Sequence, residues 1–119
     1  AALATLAVIE RSGLIDRVLR LGPLLKFYLE RELSHRNLGI KEIRGRGLML
    51  GVQAGPRGRK SGTDIVLATV SGCLQRGLII LPAGPLGDVL QLTPPAICTE
   101  LQLQRMASII GQAWREAVA

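Results

Sequence analysis

The chain is poor in the residues from which catalytic centres are usually assembled. Its 119 residues include one histidine, His35, and two cysteines, Cys73 and Cys98. A single histidine in the polar stretch Ser34-His35-Arg36-Asn37 supports no Ser-His-Asp or Cys-His set and no metal site. The cysteines lie far apart in no metal or redox spacing, and they read as reduced, partly buried thiols of a cytoplasmic protein. Aromatic residues are limited to Phe27, Tyr28 and Trp114, so the core has to be aliphatic. No apolar run approaches the ~18 residues of a membrane helix. Ala1 to Glu10, AALATLAVIE, lacks the basic region and cleavage pattern of a signal peptide. The chain opens in helical character without an initiator methionine and reads as an excerpt of a longer protein.

What is present bounds the answer further. The length fits one domain with a modest core. Charged residues make up only 20% of the chain and mean hydropathy is positive, so part of the surface is expected to be covered by something else. The net charge of +6 is concentrated in Arg44 and Arg46 and in Arg57, Arg59 and Lys60. Such clusters raise the possibility of a basic nucleic-acid-binding module. A solvated loop and a glycine-rich turn explain them better, because no candidate strand carries an aromatic residue for base stacking.

The element pattern is legible. Ala1 to Glu10 favours helix, and Ser12-Gly13 breaks it. Leu14 to about Ser34 is a second helix with Leu14, Val18, Leu21, Leu25 and Tyr28 on one stripe. Gly22-Pro23 lies inside it, and the missing amide of Pro23 predicts a kink or a split near Leu21. Ile40 to Ala54 reads as strand material interrupted by Gly45 and Gly47, and Gly55 to Gly62 as a loop. Thr63 or Asp64 caps a third helix that ends at Arg76, with Gly77 in the left-handed position beyond it. Leu78 to Leu81 and Val89 to Thr93 are strands separated by a turn over Pro82 to Asp88, and Pro94-Pro95 ends the second. Thr99-Glu100-Leu101-Gln102 is a capping box that opens a last helix. The order α-α-β-β-α-β-β-α predicts an α+β layer: a mostly antiparallel sheet of about four strands with helices packed on it.

The chemistry visible in the chain is slight. Gly45, Gly47 and Gly51 have the wrong spacing for a dinucleotide fingerprint and lead into no helix. Asp64, Asp88 and Glu100 read as cap and turn residues. None of Lys26, Lys41 and Lys60 sits in the apolar sequence that would depress a lysine pKa.

Four segments in order resemble the C-terminal domain of class III aminotransferases, the pyridoxal-phosphate enzymes that include acetylornithine, ornithine and 4-aminobutyrate aminotransferases. They are AALATLAVIE, IKEIRGRGLMLGVQ, RGLIILPAGPLGDVLQLTPP and the TELQ helix start. The resemblance implies that residues 1–119 are the small domain of a fold type I enzyme, with residues 1–12 the end of a helix from a large domain. It implies that the cofactor lysine lies upstream of Ala1, that no residue here is catalytic or holds the cofactor or a metal, and that the parent is a homodimer. The parent would move an amino group from an amine or ω-amino acid to a 2-oxo acid, and the fragment alone would be inactive. Many members carry a carboxylate-binding arginine on the strand before Pro-Pro. The matching residue here is Gln91, expected to face the substrate pocket with a neutral amide in place of a charge. Alternatives from other classes are the basic nucleic-acid module and a free-standing regulatory or oligomerisation domain.

Overall fold

Helix α2, Leu14–Glu32, organises the layer. The computed structural model describes residues 1–119. Leu21, Leu25 and Tyr28 of α2 are buried, as the stripe predicts, and Leu29 is buried with them. The helix runs through Pro23 without splitting, so of the kink or split expected from the ring the split does not occur. Pro23 and Leu19 are both exposed, so the Leu19 carbonyl that loses its amide partner is open to water. Buried Leu21 and Leu25 on the opposite side hold the two halves together.

Four strands form one antiparallel sheet in the order β1-β2-β4-β3. They are β1 Ile40–Arg46, β2 Met49–Ala54, β3 Leu81–Ala83 and β4 Val89–Leu92. The other helices are α1 Ala2–Arg11, α3 Gly62–Gln75 and α4 Glu100–Val118. The register places Ile43, Val52, Leu90 and Pro82 in one row, and Arg44, Gly51, Gln91 and Leu81 in the next. Side chains alternate across a strand, so the first row faces the helices and the second faces away. Val52 and Leu90 are fully buried, whereas Arg44, Gln91 and Leu81 are exposed. The core is aliphatic apart from Cys73, Tyr28 and Trp114, and the Trp114 indole N–H donates to the Leu38 carbonyl at 2.8 Å.

Of the two glycines that interrupt the strand material, Gly47 is both a turn residue and a point of close approach. It adopts φ +52° in the β1–β2 turn. A Cβ on Gly22 of α2 would strike the Gly47 carbonyl oxygen, and a Cβ on Gly47 would come within 2.6 Å of Val18 Cγ1. Helix and hairpin therefore meet backbone to backbone. The same turn tucks Leu48 into the core.

Three boundaries differ from the pattern reading. The strand expected at Leu78–Leu81 is Leu81–Ala83. Leu78 instead closes the end of α3, its amide donating to Cys73 O at 2.9 Å beside Gly77 at φ +79°. That closure takes residues 78–80 away from β4. Pro82 is tolerated because β3 is an edge strand. β4 stops at Leu92 rather than Thr93. Helix α3 is capped by Ser61, not Thr63 or Asp64. Asp64 is the third residue of a reciprocal capping box, with Ser61 N to Asp64 Oδ2 at 2.8 Å. The Thr99–Gln102 box opens α4 as expected.

Helix α1 buries no residue and leaves Leu3, Leu6 and Val8 exposed. It accounts for the elongated 50 × 26 × 25 Å shape. The radius of gyration is 15.2 Å, against about 13.5 Å for a compact chain of this length.

Gly22→Ala should lower stability by about 1–3 kcal/mol through overpacking against the hairpin turn, read as a fall in the urea midpoint at unchanged slope. The Ser61 hydrogen bonds hold the Asp64 carboxyl below its ordinary value of 3.8. A depressed folded pKa gives stability that is present above that ordinary value and lost as pH falls through the folded one. Ser61→Ala should flatten this acid limb in urea titrations between about pH 2 and 6.

Candidate functional site

The outer face of the sheet carries the polar side chains that the helices do not cover. Arg44 of β1 donates to Glu42 Oε2 at 3.0 Å and to Gln53 Oε1 at 2.8 Å. Gln53 of β2 donates to Asp88 Oδ2 at 3.1 Å. Val89 Cγ1 leans over Gly51, 3.0 Å from where a Cβ would stand. These contacts fill the middle of the face. Gln91 lies in the neighbouring position of β4, exposed, with no hydrogen bond from its carboxamide to the rest of the chain.

Beyond the Leu81–Gln91 pair the last two strands part. Residues 78–80 follow the α3 closure, while Thr93, Pro94 and Pro95 run toward α4. Pro94 and Pro95 have no amides with which to continue the ladder. The gap is a cleft of about 320 Å³ lined by Ile79, Leu81, Gln91, Thr93, Pro94 and Met106, among others. Gln91 and Thr93 are its polar lining, and no charged residue lines it. Gln91, Gly51 and Val89 share the outer face, as alternation along β4 predicts.

Sequence pattern gave no hint of the residue that holds the far wall of this cleft. Arg17 of α2 donates through Nε to Ala96 O at 2.9 Å and through Nη2 to Cys98 O at 2.7 Å. The loop it grips, residues 93–99, contains no buried residue. Its position therefore rests on polar contacts and on the partial packing of Cys98. Arg17 lies 79 residues from Ala96, a separation at which no local periodicity signals contact. Tyr28 makes a second tie, donating to Glu100 Oε1 at 2.7 Å and accepting from Gln104 Nε2 at 3.1 Å.

Other candidates take structural posts. Asp64 and Glu100 stand in the first turns of α3 and α4, and Asp88 ends the turn before β4. Lys26 pairs with Glu30 at 3.9 Å. Lys60 donates to the carbonyls of Ala117 and Ala119 at 2.7 and 3.0 Å, closing the end of α4. Lys41 lies on the opposite edge strand from the cleft. No lysine lines the cleft. Cys73 is buried, and burial pushes its thiol up to about 11 against the opposing pull of Arg76. His35 lies in an open polar depression with Asn37 and Arg57, away from Gln91.

Arg17→Met removes both bonds of the clamp. It should cost roughly 2 kcal/mol and raise amide hydrogen exchange in the peptide spanning residues 93–99, with the β1–β2 hairpin unchanged.

Comparison with known proteins places this geometry. The family model described as Aminotransferase class-III matches residues 1–114. The chain is 34% identical over 113 residues to a mitochondrial acetylornithine aminotransferase of Alnus glutinosa, covering 94% of this chain and 23% of that protein. It is 29% identical over 118 residues to an alanine/serine racemase of Pyrococcus horikoshii, covering 99% of this chain and 25% of the relative. Among solved structures, the ornithine aminotransferase of Toxoplasma gondii, described with partial occupancy of PLP at its active site, superposes with a TM-score of 0.81 at 28% identity. That match covers 98% of this chain and 26% of the other. The chain thus spans about a quarter of the length of the proteins it matches. A four-strand antiparallel sheet with helices on one side, shared along nearly the whole sequence, makes this chain a member of the class III aminotransferase family.

Proposed function

We propose that residues 1–119 are the C-terminal small domain of a pyridoxal-phosphate-dependent aminotransferase and form one wall of its substrate pocket. The parent transfers an amino group from an amine or ω-amino acid to a 2-oxo acid. The observation that carries the reading is the one-sided sheet. Its inner face is closed by helices, while its outer face ends in a cleft at Gln91. Family membership and the quarter-length match support assigning the remaining walls to another part of the same polypeptide. Gln91 is the substrate-contacting residue of this wall. The apolar cleft around it excludes water from the reacting groups.

The large domain supplies the cofactor and the lysine that binds it. The chain's own lysines are spent on an i,i+4 pair, a helix end and the far edge of the sheet. The exposed leucines of α1 bury against that large domain, with residues 1–12 as the connecting helix. The parent works as a homodimer in the cytoplasm.

Pyridoxal phosphate added to the isolated chain should leave no stoichiometric adduct trapped by borohydride. The full polypeptide should trap one per subunit, transfer amino groups, and elute as a dimer from a sizing column. A stoichiometric adduct on the isolated chain would defeat the proposal.

A further inference from the structure

The lining of the cleft specifies what can lie against it, and this step rests on the pocket assignment just made. Gln91 offers a carboxamide, and Thr93 a hydroxyl, and each can donate and accept. Neither is engaged elsewhere in the chain, and the rest of the lining is apolar, Ile79, Leu81, Pro95 and Met106 included. No cation lines the cleft. Arg44 shares the sheet row of Gln91 but is two strands away and bonded to Glu42 and Gln53. Arg17 is spent on the carbonyls of Ala96 and Cys98. Arg105 lines an adjoining groove with Arg76 and Cys98, which shares Leu78 and Met106 with the cleft but neither Gln91 nor Thr93.

A carboxylate pressed against this wall would lose water to apolar side chains and gain no opposite charge from its lining, which is unfavourable by the ordinary cost of burying an ion. A primary amide or hydroxyl would match Gln91 in both directions, donor to acceptor and acceptor to donor. We infer that the part of the amino donor held by this wall is an uncharged hydrogen-bonding group on an apolar stem, with Gln91 the residue that selects it. The wall therefore discriminates against donors that present a carboxylate at that point.

The test uses the full polypeptide and two donors that differ only at the far end, 4-aminobutanamide and 4-aminobutanoate. The amide should be favoured in kcat/KM by about tenfold or more, the difference between a neutral and a charge-assisted contact that is missing. Gln91→Arg should swing the ratio toward the carboxylate by at least about tenfold. Gln91→Asn, shorter but neutral, should weaken both donors and keep the order. NMR titration with unreactive pentanamide and pentanoate gives the same comparison without turnover. A wild-type preference for the carboxylate, or a ratio that Gln91→Arg leaves unmoved, overturns the inference. Absence of transfer from both donors, with the titration still favouring pentanamide, would defeat the aminotransferase assignment and leave the selectivity of the wall standing.

Discussion

The architecture depends on a contact that only glycines permit. Helix α2 reaches the β1–β2 turn with the Gly22 backbone against Gly47, closer than any side chain would allow. That approach sets α2 onto the inner face of the sheet and carries Leu21 and Leu25 into the core beside Leu48 and Leu50. It also places the N-terminal half of α2 where Arg17 meets the loop after β4. One close backbone contact thus ties the first hairpin, through a single rigid helix, to the wall of the cleft on the second.

Burial is one-sided, and that asymmetry organises the chemistry. Aliphatic residues with Cys73, Tyr28 and Trp114 fill the space between sheet and helices, and no buried side-chain polar atom lacks a partner there. The outer face is different in kind. Its middle is occupied by the Glu42–Arg44–Gln53–Asp88 chain of hydrogen bonds, and its edge by the neutral cleft at Gln91. Polar groups here are satisfied laterally along the sheet, which leaves Gln91 and Thr93 free at the place where the strands part. An apolar composition with few charges reads naturally once the outer face and α1 are taken as surfaces to be covered.

Much of this was legible beforehand. The Thr99 capping box, the Gly13 break, the Gly77 stop and the α2 stripe act over a few residues, so their signals sit in the local sequence. The misplacements have equally specific causes. Leu78 looks like a strand residue by type, but the helix end claims its amide. Ser61 outranks Thr63 as a cap because the hydrogen bond from Asp64 selects it. Pro23 ought to break a helix in isolation, and packing on both sides of it prevents that. Gln91 was found through family resemblance, not through any property of glutamine. Arg17 carried no sign at all, since an arginine on a helix is ordinary until its distant partner is known.

The sequence by itself determined the element order, the Thr99 cap of α4, the largely aliphatic core and the poverty of catalytic groups. Each of these follows from neighbours in the chain or from simple composition. Only the tertiary structure decided that Gly22 serves Gly47, that Arg17 holds residues 96 and 98, and that the strands diverge beside Gln91 into an uncharged cleft. Those outcomes depend on distances between segments far apart in the chain, which are set by how the helices settle on one face of the sheet.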